Sequence, residues 1–210
     1  GAFGRNEIYT AEQPNPSYIY NASLNIMAFY ANADYDLNSR LKMGLGLRFE
    51  MSEQVVEYKK LSDLYSGPFR KATLTGNDVY PNLNLKYSLN EKSNLRLALS
   101  KTISRPEFKE MAPFLYEEVF GGMQIQGNAN LKNAYNYNVD LKYELFQKPG
   151  ELAAVSLFGR YLENPIERIV ESSSSKLYSF QNANEAYVFG VEFELNKKLS
   201  SFIGQEGFWS

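Results

Sequence analysis

Polar and apolar residues alternate with period two through most of this chain, most cleanly over residues 40–51. There Leu41, Met43, Leu45, Leu47, Phe49 and Met51 share one face, while Arg40, Lys42, Gly44, Gly46, Arg48 and Glu50 share the other. Strict alternation over that length predicts a β-strand whose two faces meet different solvents. The same pattern predicts strands over residues 24–37, 79–89, 94–103, 135–146 and 187–196. Residues 151–162 predict a further, less regular strand, because Leu152, Phe158 and Leu162 fall on its nominally polar face beside Ala154, Ser156 and Arg160. Beyond Lys197-Lys198 the chain turns towards the start of an eighth strand.

An aromatic residue stands two places before a leucine at the end of four of these strands, in Tyr35-Asp36-Leu37, Tyr87-Ser88-Leu89, Tyr143-Glu144-Leu145 and Phe193-Glu194-Leu195. The copies recur every 50 to 56 residues, which marks a repeated supersecondary unit. Each is followed by a polar turn and usually by a second alternating strand, so the unit is a long β-hairpin. Asn38-Ser39, Asn90-Glu91-Lys92-Ser93 and Gln147-Lys148-Pro149-Gly150 are tight turns. Between them lie long connections, at about residues 52–77, 104–133 and 163–186.

Such connections are uncommon in a compact soluble sandwich. Outer-membrane barrels alternate short turns on one side of the membrane with long loops on the other, and they turn an apolar face to lipid and a polar face to a wet interior. The expected fold is therefore all-β, an antiparallel meander of about seven to eight long strands forming an incomplete segment of a transmembrane outer-membrane β-barrel. Taken singly, each recurrent aromatic is an ordinary strand-end core residue. Four in register are better explained as membrane-interface aromatics, with Tyr35, Tyr87, Tyr143 and Phe193 all at one headgroup layer.

Composition narrows the function. The 22 basic and 24 acidic residues are dispersed and leave a net charge of -2, without the cationic block that neutralises phosphates, so no nucleic-acid partner is expected. Cysteine and histidine are both absent. Disulfides, thiolate sites and Ser-His-Asp chemistry are thereby excluded, and no enzymatic activity, metal or cofactor is expected. Sixteen tyrosines and 14 phenylalanines stand against one tryptophan, a high aromatic share for a chain of negative mean hydropathy. No run of 18 apolar residues can form a transmembrane helix, and no signal peptide is recognisable at the N-terminus.

Several segments, in order, carry a resemblance: Tyr80-Pro81-Asn82-Leu83-Asn84, Ser104-Arg105-Pro106-Glu107-Phe108, Gly127-Asn128-Ala129-Asn130-Leu131-Lys132, Pro149-Gly150-Glu151 and Asn164-Pro165-Ile166-Glu167. Together they resemble the barrel of TonB-dependent outer-membrane receptors, Bacteroidetes-type above all, over roughly residues 24–200. The resemblance implies a 22-stranded barrel with an N-terminal plug that imports a scarce nutrient, such as a siderophore, glycan or peptide, using energy delivered by TonB. It implies as partners the outer-membrane lipid, the rest of the barrel, the plug, TonB through that plug, and in some members a surface lipoprotein. Neither plug nor TonB-contacting segment is recognisable here. The whole of residues 1–210 is therefore expected to be one partial barrel domain, an internal piece comprising a loop or strand end at 1–22, hairpin repeats at 24–200 and a turn with the next strand start at 201–210.

Within that frame Arg105-Pro106 is expected to end a strand, since proline removes a ladder donor; the alternative is that Arg105 and Glu107 pair inside the barrel mouth. Gly127-Asn128 and its neighbours predict a turn, because no helix follows to cradle a phosphate. Residues 172–175 predict a loop tip. The candidate ligand surface is the long loop carrying Phe108, Phe114, Tyr116, Glu117, Glu118 and Phe120, aromatics among carboxylates that suit sugars, peptides or metal chelates. The competing expectation is that these residues pack the loop onto the barrel rim. Arg48, Arg96, Asp140, Lys142, Glu192 and Glu194 are expected to form a solvated lumen wall rather than a substrate path, the alternative being contact with the plug. Alternatives for the whole are a small outer-membrane barrel with an enzymatic or adhesive role, which would need its last strand to pair with its first, and a soluble propeller, whose blades hold four short strands rather than two long ones.

Overall fold

The computed structural model describes residues 20–59, 67–117, 122–172 and 177–198. Glu118 and Phe120, most of the tip at 172–175, the residues before 20 and the segment 201–210 lie outside these. Seven long strands form one antiparallel sheet: β1 (Tyr20–Asp36), β2 (Leu41–Tyr58), β3 (Arg70–Asn90), β4 (Ser93–Ser104), β7 (Ala134–Leu145), β8 (Leu152–Glu163) and β11 (Glu185–Asn196). They are ordered as a meander. Between β4 and β7 lie a short helix, α1 (Phe108–Met111), and two short strands, β5 (Leu115–Glu117) and β6 (Gln124–Gln126). Between β8 and β11 lies a hairpin of β9 (Ile166–Ser172) and β10 (Leu177–Asn182), and the four short strands make a second sheet in the order β5-β6-β10-β9.

The register puts odd residues opposite odd residues throughout the seven-stranded sheet except at the β3–β4 turn, where it shifts so that Asn90 meets Ser93. One row runs Tyr35, Met43, Leu85, Leu97, Leu141, Leu157, Val191. The next runs Leu41, Tyr87, Leu95, Tyr143, Val155, Phe193. Paired residues point to the same side, so the odd face is a continuous apolar sheet through this band. Three of the four recurrent aromatics share a single row, and Tyr35 stands one row above it.

Among the described residues nothing covers this apolar face. Phe193 is 83% exposed, Phe189 77% and Leu195 77%. At about 25 cal/mol per Å² of apolar area, leaving such a surface in water would forfeit much of what folding gains. Across the sheet, tyrosine hydroxyls mark the far edge of the band. Tyr137, Tyr161, Tyr187 and Phe189 stack in succession with ring centroids 5.7, 5.2 and 6.4 Å apart. Tyr137 donates to Glu163, while Tyr161 and Tyr187 donate to Glu185. Aromatic rings therefore stand at both ends of the apolar face.

The even face is polar and paired. Arg96 meets Glu144 at 2.7 Å, Lys142 meets Glu194 at 2.9 Å, and Arg160 holds Asp140 through two bonds of 3.0 and 2.8 Å. Small residues make room for neighbours there. The Asn32 and Asn82 amides occupy the space over Gly46, and the Phe158 ring lies across Gly190, where a Cβ would overlap it. That accounts for the irregularity of β8: Phe158 does face the polar side, with the Arg160 guanidinium 5.3 Å from its centroid.

The tight turns form as the sequence predicts. Asn38 Oδ1 accepts from the amides of Arg40 and Leu41, and Asn90 Oδ1 accepts from Lys92. At the third, Glu151 N donates to Lys148 O and Gly150 sits at φ 83°, the geometry of a type II turn with proline at its second position. The long connections are more ordered than predicted. β2 and β3 reach residue 58 and start at residue 70, inside the connection expected over 52–77, and α1, β5, β6, β9 and β10 occupy the other two. Alternation is lost there because Glu53, Thr75 and Asn77 appear on the odd face, which marks departure from the apolar band rather than the end of pairing.

Arginine introduced on the apolar face mid-strand, in Leu97→Arg, is expected to destabilise the inserted protein by about 2–4 kcal/mol, whereas Ala98→Arg on the other face is expected to cost well under half of that. Reversible unfolding from lipid vesicles in guanidinium measures both.

Candidate functional site

At the end opposite the tight turns, the even face of β2 and β3 changes character. Arg48, Glu50, Ser52 and Gln54 give way to Val56 and Tyr58, and Tyr80 and Asp78 give way to Ala72. A hydrophobic core forms there. Val56, Tyr58, Ala72, Met111, Ala112 and Phe114 are buried together, and Tyr20, Phe108 and Tyr116 pack against them. Met111 and Val56 are fully enclosed; side chains of this kind stabilise by about 1.5–3 kcal/mol each when removed from water.

The segment after β4 reaches this core because it leaves the sheet at Ser104. Arg105 Nη2 binds Glu50 Oε2 at 2.6 Å, and Arg48 holds the other carboxylate oxygen. Gln54 Nε2 donates to Pro106 O at 2.7 Å. Pro106 thus ends the strand as expected, but Arg105 pairs with Glu50 rather than with Glu107. Glu107 instead begins α1, its amide donating to Glu110 Oε2 at 2.8 Å. Burial holds the Glu110 carboxyl above its ordinary range, with the bond from Glu107 working the other way.

The remaining motif residues converge on the same module. Gly127 lies against the carbonyls of Lys109 and Ala112, too close for any Cβ. Asn128 N donates to Glu110 O at 2.6 Å, its side-chain amide donates to Phe180 O, and its Oδ1 closes a turn onto Asn130 N. Asn164 adopts φ 52°, a left-handed conformation asparagine tolerates, and its carbonyl accepts from Asn182 Nδ2 at 2.7 Å. Asn182 also exchanges two bonds with the backbone of Lys132. Asn182 escapes notice in the sequence, as does Gln54, because each is a lone polar residue with a backbone partner about 50 positions away.

Of the expected ligand surface, Phe114 is buried, 5.4 Å from the Tyr20 ring and 5.7 Å from Tyr116; Phe108 and Tyr116 are half-buried on the core, and Glu117 is exposed. These aromatics build the rim rather than stand free in solvent. A cleft of about 790 Å³ opens beside them instead. Its lining includes Tyr58 and Phe114, Asn128 and Asn130, and Glu171 and Gln181 of the β9–β10 hairpin. Aromatic rings and amides of this kind can stack and hydrogen-bond a polar organic ligand. Among the described residues no cluster of carboxylates has a metal site's composition.

The profile of the outer membrane protein beta-barrel family matches residues 3–206. This chain belongs to that family. Its sheet is accordingly the wall of an outer-membrane β-barrel, with the odd face towards lipid, the even face towards the lumen, the tight turns at the periplasmic end and the cleft at the cell-surface end. No curated protein matches the chain. Among solved structures it is similar to the siderophore receptor PirA from Pseudomonas aeruginosa, with 18% identity and a TM-score of 0.55 over 85% of this chain and 40% of that receptor. It is also similar to the ferric enterobactin receptor PfeA of the same organism, with 18% identity and a TM-score of 0.54 over 85% of this chain and 34% of that one. The hemophore receptor HasR of Serratia marcescens, solved with hemophore HasA and heme, gives 14% identity and a TM-score of 0.62 over 82% of this chain and 31% of HasR. The chain thus spans less than half the length of these receptors, and at such identities the likeness is one of fold.

Removing the Arg105 guanidinium in Arg105→Ala is expected to release residues 105–114 from the lumen wall, at a cost of about 1–3 kcal/mol. Hydrogen exchange at those amides should accelerate while β8 and β11 stay protected. The raised Glu110 value has its own consequence. A carboxyl that keeps its proton more readily when folded opposes folding once pH rises through its folded value, and that cost is absent below about pH 4. Glu110→Gln, which preserves the acceptor, is therefore expected to protect this module at pH 8 and to make no difference at pH 4.

Proposed function

We propose that this chain is part of the barrel of a nutrient receptor of the TonB-dependent, Bacteroidetes-type class, and that it catalyses no covalent chemistry. The cleft of about 790 Å³ carries this reading, because it sits at the cell-surface end of a wall whose lumen face is polar and hydrated. A ligand such as a siderophore, glycan or peptide is captured between the Phe114 rim and the β9–β10 hairpin. It then passes down the lumen when TonB, acting through a plug domain, rearranges that plug. In this reading further strands pair with β1 and β11 to close the barrel, since receptors of similar fold are more than twice as long. The notion of a small adhesive or enzymatic barrel has no comparable feature to support it.

Narrowing the cleft by Gln181→Trp in the full-length receptor is expected to reduce ligand uptake by cells at least tenfold while surface expression is unchanged, and dissipating the inner-membrane proton gradient is expected to abolish uptake by the unaltered receptor. Uptake indifferent to both treatments would contradict the proposal.

A further inference from the structure

One residue breaks the apolar face. Within the apolar band, up to and including the Tyr137–Tyr161–Tyr187 row that closes it, Lys101 is the single charged side chain on the lipid side of the described strands. It pairs across the sheet with Tyr137, and its ammonium lies 5.7 Å from that ring and 4.5 Å from the Tyr135 ring, which is two residues nearer the cell surface. The side chain therefore leans outward along the barrel, as a snorkelling lysine does. Among the described residues no carboxylate pairs with it; Glu163, on the same face, accepts instead from the Tyr137 hydroxyl at 3.2 Å. An ammonium at the hydrocarbon boundary is costly without a counter-charge.

Below Lys101 the face is hollow. Ala31 and Ala33 on β1 fall short of their neighbours, and with Leu45, Leu47, Leu83 and Leu99 they line a depression of about 710 Å³ that reaches Lys101 and Tyr137. An apolar trough ending at one cation matches a lipid with an acyl chain below and an anionic headgroup above. The cation stands at the cell-surface end, so the lipid belongs to the outer leaflet, whose anionic lipid is lipopolysaccharide.

We propose that this hollow holds an acyl chain of one lipid A molecule, with a glucosamine phosphate against Lys101. The site is independent of the ligand cleft and rests only on the membrane placement of the sheet.

The test uses the full-length protein purified from outer membranes, stripped of lipid in mild detergent and titrated with defined lipids by native mass spectrometry. Lys101→Gln is expected to weaken retention of bisphosphorylated lipid A about five-fold, the worth of one lysine against an anionic lipid. Removing the lipid A phosphates should cause the same loss in the unaltered protein, and the lumen variant Lys86→Gln should cause none. Ala33→Trp, which fills the hollow and keeps the lysine, should also weaken retention, and heat-modifiable gel mobility reports whether each variant is folded. Equal retention by Lys101→Gln, or binding of phosphate-free lipid A or phosphatidylglycerol as tight as that of bisphosphorylated lipid A, would overturn the proposal.

Discussion

A sheet with hydrocarbon on one side and water on the other has no freedom in its register. Shifting any strand by one residue would move Leu41, Met43 and Leu45 into the lumen and Lys42 and Arg48 into lipid, and every neighbouring strand would inherit the error. All else in this structure follows from that constraint. Tight turns at the periplasmic end keep successive strands in phase, and the rows that carry Tyr87, Tyr143 and Phe193 stay level across five strands.

On the lumen face the constraint is looser, and the chain uses that latitude. Ion pairs run diagonally between strands, glycines admit the amides and the ring of neighbouring side chains, and above the membrane band the same face turns apolar enough to hold a small core. The ion pair of Arg105 with Glu50 brings the two regimes together. It ties the segment leaving β4 to the polar stretch of β2 that precedes the core, so that Met111 and Phe114 can reach Val56 and Tyr58. Asn128 and Asn182 bind the hairpin to the segment that precedes β7 through backbone partners.

The strands were legible because both of their faces are written locally, as residues two apart. Even the exception in β8 was visible, although its cause was not: Phe158 needs Gly190, 32 positions away, and alternation says nothing of such pairs. The cell-surface module was hidden for the same reason. Gly127 and Asn128 are recognisable as a turn, but nothing near them indicates that α1 lies against that glycine. Aromatic residues at 108, 114 and 116 suggested a binding loop because exposed and buried aromatics look alike in a sequence; only the even-face switch at Val56 and Ala72 reveals the core that takes them. The second aromatic row, Tyr137 with Tyr161 and Tyr187, is not marked by the aromatic-x-Leu repeat, because its members meet only through the register of three adjacent strands.

Placement of the odd face in lipid is the central claim, and because residues 1–210 hold no cysteine it is directly measurable once any cysteine elsewhere in the full-length protein is replaced. Single cysteines placed in turn from residue 41 to residue 51 of the full-length protein, each carrying a nitroxide in reconstituted bilayers, report their solvent through accessibility to oxygen and to a water-soluble nickel chelate. Period-two alternation is the expected result, with odd positions open to oxygen and closed to nickel, deepest near the middle of the run, and even positions the reverse. Accessibility without alternation, or odd positions open to nickel, would contradict the account.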